Sequence, residues 1–214
     1  MRPDTDARGK GQEPQGNKDL RVRIDAQRNI DALLLAAKEV FASSGVDAPV
    51  REIAEKAGVG IGTFYRHFPE RSDLVAAVFR REIDACADAA SILAGEYEAG
   101  EALARWMQRY AAFVGTKRGL ASALHSGNSA FESLPAYFHA RMEPALSTLL
   151  DAAVVAGEAR TDFAAKDLLD AVTSLCRSAY EKGPDHASRM VALLVDGLRS
   201  VVPHRDWGDP SGMK

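Results

Sequence analysis

Apolar residues recur three and four apart along most of this chain, and period-2 alternation is absent, so the pattern predicts helices throughout. Ile30, Leu33, Leu34, Ala37, Val40 and Phe41 form a stripe that predicts a helix over Ala26 to Ser44, closed by Gly45. Val50, Ile53, Ala54 and Ala57 predict a short second helix entered through Pro49, where a missing N–H is harmless. Gly58 follows it at the place of a left-handed C-terminal residue. Ile61 to Phe68 predicts a third helix with Phe64 and Phe68 on its buried side, stopped by Pro69. Ser72 is the expected cap of a long rod running to Glu98.

Further on, Gly95 and Gly100 mark a bend. Leu103, Trp106, Met107, Tyr110 and Phe113 predict a helix over Glu101 to Thr116, with Lys117 and Arg118 at the negative end of its dipole. A short helix over Leu120 to His125 and a loop follow. A long helix then runs from Leu134 to Ala156, with Pro135 in its first turn and Pro144 bending its interior. Thr161 or Asp162 is the expected cap of a helix carrying Leu168, Leu169, Val172, Leu175, Cys176 and Ala179. After Gly183 and Pro184, Asp185 caps a last helix with Met190, Leu193, Leu194, Gly197, Leu198 and Val201. The fold class is all-α: an N-terminal three-helix head and a C-terminal helical bundle that dimerises. The expected divisions are 1–25, a disordered and partly basic arm; 26–72, the head; 73–203, the body; and 204–214, a flexible tail.

Two short helices joined at a glycine, with the small Ala54 where they cross, describe a helix-turn-helix. Its second helix shows Thr63, Tyr65, Arg66 and His67 on or near the outer side. Thr63 and Tyr65 can bond phosphate oxygens or a base edge, Arg66 can pair bidentately with guanine, and His67 can donate to phosphate or to N7. Arg71, at the mouth of the next helix, can hold a phosphate beside free helix N–H groups. Arg51, at the start of the second helix, is another phosphate candidate. Glu52 and Glu55 do not suit DNA, and pair with Lys56 or Arg66 or point sideways. A helical hairpin with ordinary surface residues has the same outline.

The run EIAEKAGVGIGTFYRHFPERSDL, with Tyr65, Phe68 and Leu74 at their spacing, resembles the DNA-binding domain of the TetR family of bacterial transcriptional regulators. Arg71 stands where that family usually has lysine. The resemblance runs from about Arg28 to about Ile83 and fades beyond. It implies a DNA-binding dimer, most readily a repressor released from a pseudo-palindromic operator by a small molecule. It implies that Arg28 can meet a phosphate, that the rod from Ser72 carries the ligand signal, and that the last two helices build a four-helix seam with a second copy. On this reading Arg28, Arg51, Tyr65, His67 and Arg71 anchor phosphates, and Thr63 and Arg66 read bases.

Net charge is −3, which fits a DNA binder only because Lys18 to Arg81 is mildly basic while Glu82 to Lys214 is acidic. Lys18, Arg21 and Arg23 form either a solvated tail or a basic arm toward the duplex backbone. Cys86 and Cys176 read as reduced, buried thiols, and no metal-ligand spacing occurs, so no cofactor is expected. No apolar leader or membrane-length run is present, and a cytoplasmic protein is expected.

Candidates for a ligand pocket are Trp106, Met107, Tyr110, Phe113, His125, Phe131, Tyr137, Phe138, Met142 and Cys176, with Trp106 and Tyr110 the strongest pair and His125 the best polar tip. Plain core is the better account of any one of them taken singly, while as a set they describe a cavity walled by aromatics with a few polar tips. Two rival classes remain. One is a DNA-binding dimer without a small-molecule effector, governed by a protein partner or by amount. The other is a small helical enzyme, for which His125, Asp170 and Cys176 supply residue types but no motif.

Overall fold

The computed structural model describes residues 15–115, 128–178 and 184–199. They divide into two compact units, Met1–Leu74 and Val75–Lys214. Every regular element among the described residues is helical.

In the first unit, α1 (Gln15–Ser44), α2 (Val50–Ala57) and α3 (Ile61–His67) form the head, and the first turn of α4 (Arg71–Glu96) closes it. Leu33, Ala36, Ala37 and Val40 bury one side of α1, and Ile53 and Ala54 bury one side of α2. Helix α1 begins at Gln15, so the segment expected as a disordered arm up to residue 25 is helical from that point. Its apolar residues Leu20, Val22 and Ile24 are exposed, which is why the apolar stripe gave no sign of it.

The turn between α2 and α3 takes the form its glycine allows. Gly58 has φ 66° and ψ 25°, the left-handed region. Its N–H donates to Glu55 O at 3.1 Å, and the Val59 N–H donates to Ala54 O at 3.0 Å, closing α2 with paired carbonyls. Helix α3 is anchored by Phe64, with no exposed surface, and by Phe68, ring centroids 5.9 Å apart.

At the start of α4 the cap differs from expectation. Ser72 lies inside the helix and donates to Glu70 Oε2 at 3.1 Å. Asp73 reaches back instead, its Oδ2 accepting from the Glu70 N–H at 3.0 Å. An anionic carboxylate at the third helical position is the stronger acceptor for that orphan donor.

The second unit is built around α5 (Ala99–Gly115), which packs against α6 (Leu134–Val155), α7 (Ala165–Ser178) and α8 (Pro184–Arg199). Ala102, Leu103, Trp106, Met107, Tyr110 and Ala111 are its buried face. A 3-10 turn over Ser129–Phe131 is capped by Asn128, whose Oδ1 accepts from the Ala130 N–H at 2.9 Å. Pro135 sits in the first turn of α6 and Pro144 inside it. Thr161 and Asp162 do not cap α7: Asp162 is bound to Arg160, and Asp167 Oδ2 accepts from the Ala164 N–H at 3.4 Å. The expected helix over Leu120 to His125, and the expected tail, lie outside the described residues.

Helix α8 carries apolar residues on two sides. Ala187, Val191, Val195 and Leu198 face the core. Met190, Leu193, Leu194 and Gly197 line an open groove with Leu175 and Phe163, in which Leu193 is 65% exposed and Phe163 41%.

Candidate nucleic-acid interface

Because α3 buries Phe64 completely, the residue beside it must point outward, and Tyr65 is 52% exposed. Arg66 is exposed with it, while Thr63 and His67 are half-buried at the flanks. The Tyr65 ring stands edge-on to Phe64 at 5.3 Å with an interplanar angle of 82°, which aims the phenol away from the core. Four groups able to bond an oligoanion or a base edge thus share one short helix: two hydroxyls, a guanidinium and an imidazole. Arg51 is exposed in the first turn of α2. Arg28 is exposed on α1 and lies 3.6 Å from Asp25, a loose pair that leaves its charge available.

Arg71 is placed differently from a free phosphate ligand. Its Nε donates to Val46 O at 3.0 Å, and its Nη2 donates to Ala48 O. It therefore ties the α1–α2 connection to the first turn of α4. Lys56 pairs with Glu39 of α1 at 2.9 Å. The expected partners Glu52 and Glu55 are exposed on α2. Both departures join residues distant in the chain, which helical periodicity cannot report.

Four of the expected ligand-lining residues, Trp106, Tyr110, Phe113 and Phe138, form one aromatic stack. Trp106 and Tyr110 lie 5.7 Å apart at 18°, Tyr110 and Phe113 6.2 Å apart at 21°, and Phe113 and Phe138 6.4 Å apart at 19°. The Trp106 Nε1–H donates to Cys86 O at 2.9 Å, and the Tyr110 hydroxyl lies 2.7 Å from Thr173 Oγ1. Thr173 itself donates to Leu169 O at 2.8 Å, so the Tyr110 proton goes to Thr173. Burial pushes the Tyr110 phenol far above its usual range, and burial likewise raises the Cys176 thiol, 3.6 Å from Ala111 O. Phe113 and Phe138 are half-buried. His125 lies outside the described residues. Among the described residues no group of His, Cys, Asp and Glu could hold a metal ion.

A three-helix head presenting Tyr65 and Arg66 on a short helix, carried on a separate helical body, defines a helix-turn-helix DNA-binding regulator. Residues 33–78 match the model of bacterial regulatory proteins of the tetR family, and residues 98–200 match that of the transcriptional regulator SbtR-like C-terminal domain. A TetR transcriptional regulator of Streptomyces coelicolor is 35% identical, with a TM-score of 0.68 over 81% of this chain and 99% of its own. A TetR transcription regulatory protein from Mycobacterium vanbaalenii is also 35% identical, with a TM-score of 0.63 over 83% of this chain and 99% of its own. HTH-type transcriptional regulators of Staphylococcus aureus are 38% identical over 64 residues, 29% of this chain and 35% of theirs. This chain belongs to the TetR family of transcriptional regulators.

Proposed function

We propose that the protein is a homodimeric repressor whose two α3 helices enter the major groove at the two halves of a pseudo-palindromic operator, and that a small molecule bound in the body releases it. Thr63 and Arg66 read bases. Tyr65, His67, Arg51 and Arg28 hold phosphates, and Arg71 fixes the loop that positions α2. The observation that carries the reading is the exposed Tyr65–Arg66 pair on a helix whose opposite side is the fully buried Phe64. A regulator of this kind works in the cytoplasm, and among the described residues no helix is long and apolar enough to cross a membrane.

The second copy docks on the groove between α7 and α8. Two heads are needed because one head reads one half-site, and twofold pairing sets the half-sites one helical turn, or a multiple of it, apart. The apolar lining of that groove and the exposure of Leu193 support this seat.

The aromatic stack of Trp106, Tyr110, Phe113 and Phe138, with Cys176, is the proposed effector site. One observation favours a regulator without an effector: Trp106 and Tyr110 already have hydrogen-bond partners and lie against each other, as a filled core would. The test begins with selection of a duplex from a random pool by the purified full-length protein. Gel-shift titration of that duplex in the presence of a compound library follows. Recovery of no enriched duplex refutes the DNA-binding reading. An enriched duplex that no compound releases favours the effector-free regulator.

A further inference from the structure

Helix α3 gives up stability at two closely spaced positions. Gly60 is its N-cap, with φ −62° and ψ 142°, and offers no side chain to cap the first turn. A serine, threonine or aspartate there would supply that hydrogen bond. Gly62 lies in the first turn, where glycine loses backbone entropy that alanine does not. Neither residue has a positive φ, and a Cβ built on either would meet nothing within 4 Å. The head itself therefore makes no conformational or steric demand for glycine at these positions.

Other glycines in open space have a visible reason. Gly95 and Gly115 sit in the last turns of α4 and α5, where glycine helps to end a helix. Gly197 lines the groove between α7 and α8 proposed above as the seat of a second copy. For Gly62 the remaining use is close approach by a molecule outside the fold. Its place on α3 agrees with that. At about 100° per residue, Ile61, Gly62, Tyr65 and Arg66 fall within about 140° of the helix circumference, and all four are exposed. Phe64 and Phe68 are buried on the other side. Gly62 is thus a notch in angle between Tyr65 and Arg66, near the middle of the outward face. Ile61, 42% exposed, stands at the edge of that face, one turn before Tyr65.

The chemistry of the major groove gives this pair a role. Hydrogen bonds distinguish most base edges, but the C5 methyl of thymine makes none and is read by apolar contact. Ile61 is the only aliphatic side chain of α3, and a missing Cβ at Gly62 lets the helix close on the base edges far enough for that contact. We propose that Ile61 reads a thymine methyl in each half-site, and that Gly62 sets the closeness of α3 to the bases that this contact requires. This rests on the DNA-binding reading above and adds an apolar reader to the polar pair Thr63 and Arg66.

The experiment uses the full chain and the duplex selected by the wild-type protein, at one salt concentration. Each thymine of the half-sites is replaced in turn by uracil, which removes the methyl and keeps the base pair. At one position the wild-type protein should bind about fourfold more weakly per half-site, the effect of one buried methyl group. Ile61→Ala should bind the thymine duplex more weakly and should no longer distinguish thymine from uracil there. Ile61→Val should keep part of the discrimination. Gly62→Ala should melt at the wild-type temperature or about 1–3 °C above it, yet lose about tenfold in affinity, because its Cβ meets the duplex and not the head. Ile92→Ala, which trims an exposed aliphatic side chain of α4, should leave affinity and thymine preference unchanged. Indifference of the wild-type protein to uracil at every position, a thymine preference that survives Ile61→Ala, wild-type affinity in Gly62→Ala, or an equal loss in Ile92→Ala would each overturn the proposal. Ile61→Val and Gly62→Ala keep the test decisive if Ile61→Ala fails to fold. If the wild-type protein selects no duplex, the DNA-binding reading falls; if it selects one and ignores the methyl groups, only the role of Ile61 and Gly62 falls.

Discussion

The guanidinium of Arg71 is bonded to the carbonyl oxygens of Val46 and Ala48, the former at 3.0 Å from Nε. These carbonyls belong to the α1–α2 connection, where no helix supplies a backbone partner. Arg71→Ala should therefore destabilise the head by about 2 kcal/mol, the range for hydrogen bonds made by a charged group. DNA affinity should fall as well, but with little change in the slope of log affinity against log salt. A cation used only on phosphate would lower that slope by about one. Chemical denaturation and a salt-series gel shift separate the two roles. A normal melt with a slope lowered by about one would make Arg71 a phosphate ligand after all.

Tyr65 and Arg66 are neighbours on the exposed side of α3 and should fail in different ways. Tyr65→Phe removes one hydroxyl and should weaken binding to all duplexes alike. Arg66→Ala should cost about 1–3 kcal/mol on the selected duplex and relax the base preference at one position of each half-site. Repeating the selection with each variant checks this. Unchanged base preference with Arg66→Ala would remove that residue from the set of base readers.

Most of the head could be read from the chain because its signals are local. The Phe64–Phe68 spacing, the glycine after Ala57 and the alternation of buried and exposed sides along α2 and α3 all lie within one or two helical turns. What escaped was the choice of partner, between distant segments for Lys56 and Arg71 and within a single turn for the two helix caps. Lys56 chose Glu39 on another helix, Arg71 chose two carbonyls, and α4 and α7 took acids at their third position, Asp73 and Asp167, in place of the hydroxyl or acid expected at the cap. In α8 the stripe read from Met190 to Leu198 is largely the exposed groove face, and Val191 and Val195 supply the core face. Two apolar sides on one helix are visible in the sequence, but their division between core and groove follows from the placement of α5 and α7. The stretch from Trp106 to Phe138 was legible as a set of aromatics, whereas their near-parallel stacking depends on tertiary packing.

Gly58 offers a test of local backbone. Its φ of 66° lies in the left-handed region, and an added Cβ would meet no atom within 4 Å. The penalty of Gly58→Ala is then the local one of Cβ against its own backbone, about 1 kcal/mol, with no clash against the rest of the head. Asn, which tolerates this region better, should lose less. Thermal melts of the two variants should rank Gly, Asn, Ala in falling order. An alanine variant as stable as wild type would mean that the α2–α3 turn is not held at this geometry in solution.

The groove between α7 and α8 gives a prediction about assembly. Leu193 is exposed in a largely apolar lining that includes Leu175, Met190, Leu194 and Phe163, with Arg160 at its edge. Leu193→Asp places a charge where a second copy would have to desolvate it, while the same side chain in a free protomer stays in water. The variant should keep its helical circular dichroism and sediment as a monomer, and it should lose affinity for a two-half-site duplex far more than for a single half-site. A dimer that survives Leu193→Asp would move the seam away from these helices.

Tyr110 ties the core to pH. Desolvation by burial is the largest influence on its phenol and raises it above the usual 10.0. The sign follows from linkage. In the unfolded chain the phenol ionises near its usual value, while in the fold it holds its proton, so the unfolded state is favoured by added base. Stability from this group is complete below that usual value and falls as pH rises above about 10. Tyr110→Phe removes the ionisable group along with one hydrogen bond, and Thr173 still has Leu169 O as its acceptor. At neutral pH the variant should be less stable by about 1 kcal/mol. On raising the pH its melting temperature should fall less steeply than that of the wild type, so that the two curves converge. Parallel curves across the alkaline range would mean that the Tyr110 hydroxyl is hydrated in solution, and that the aromatic stack is open where the structure has it closed.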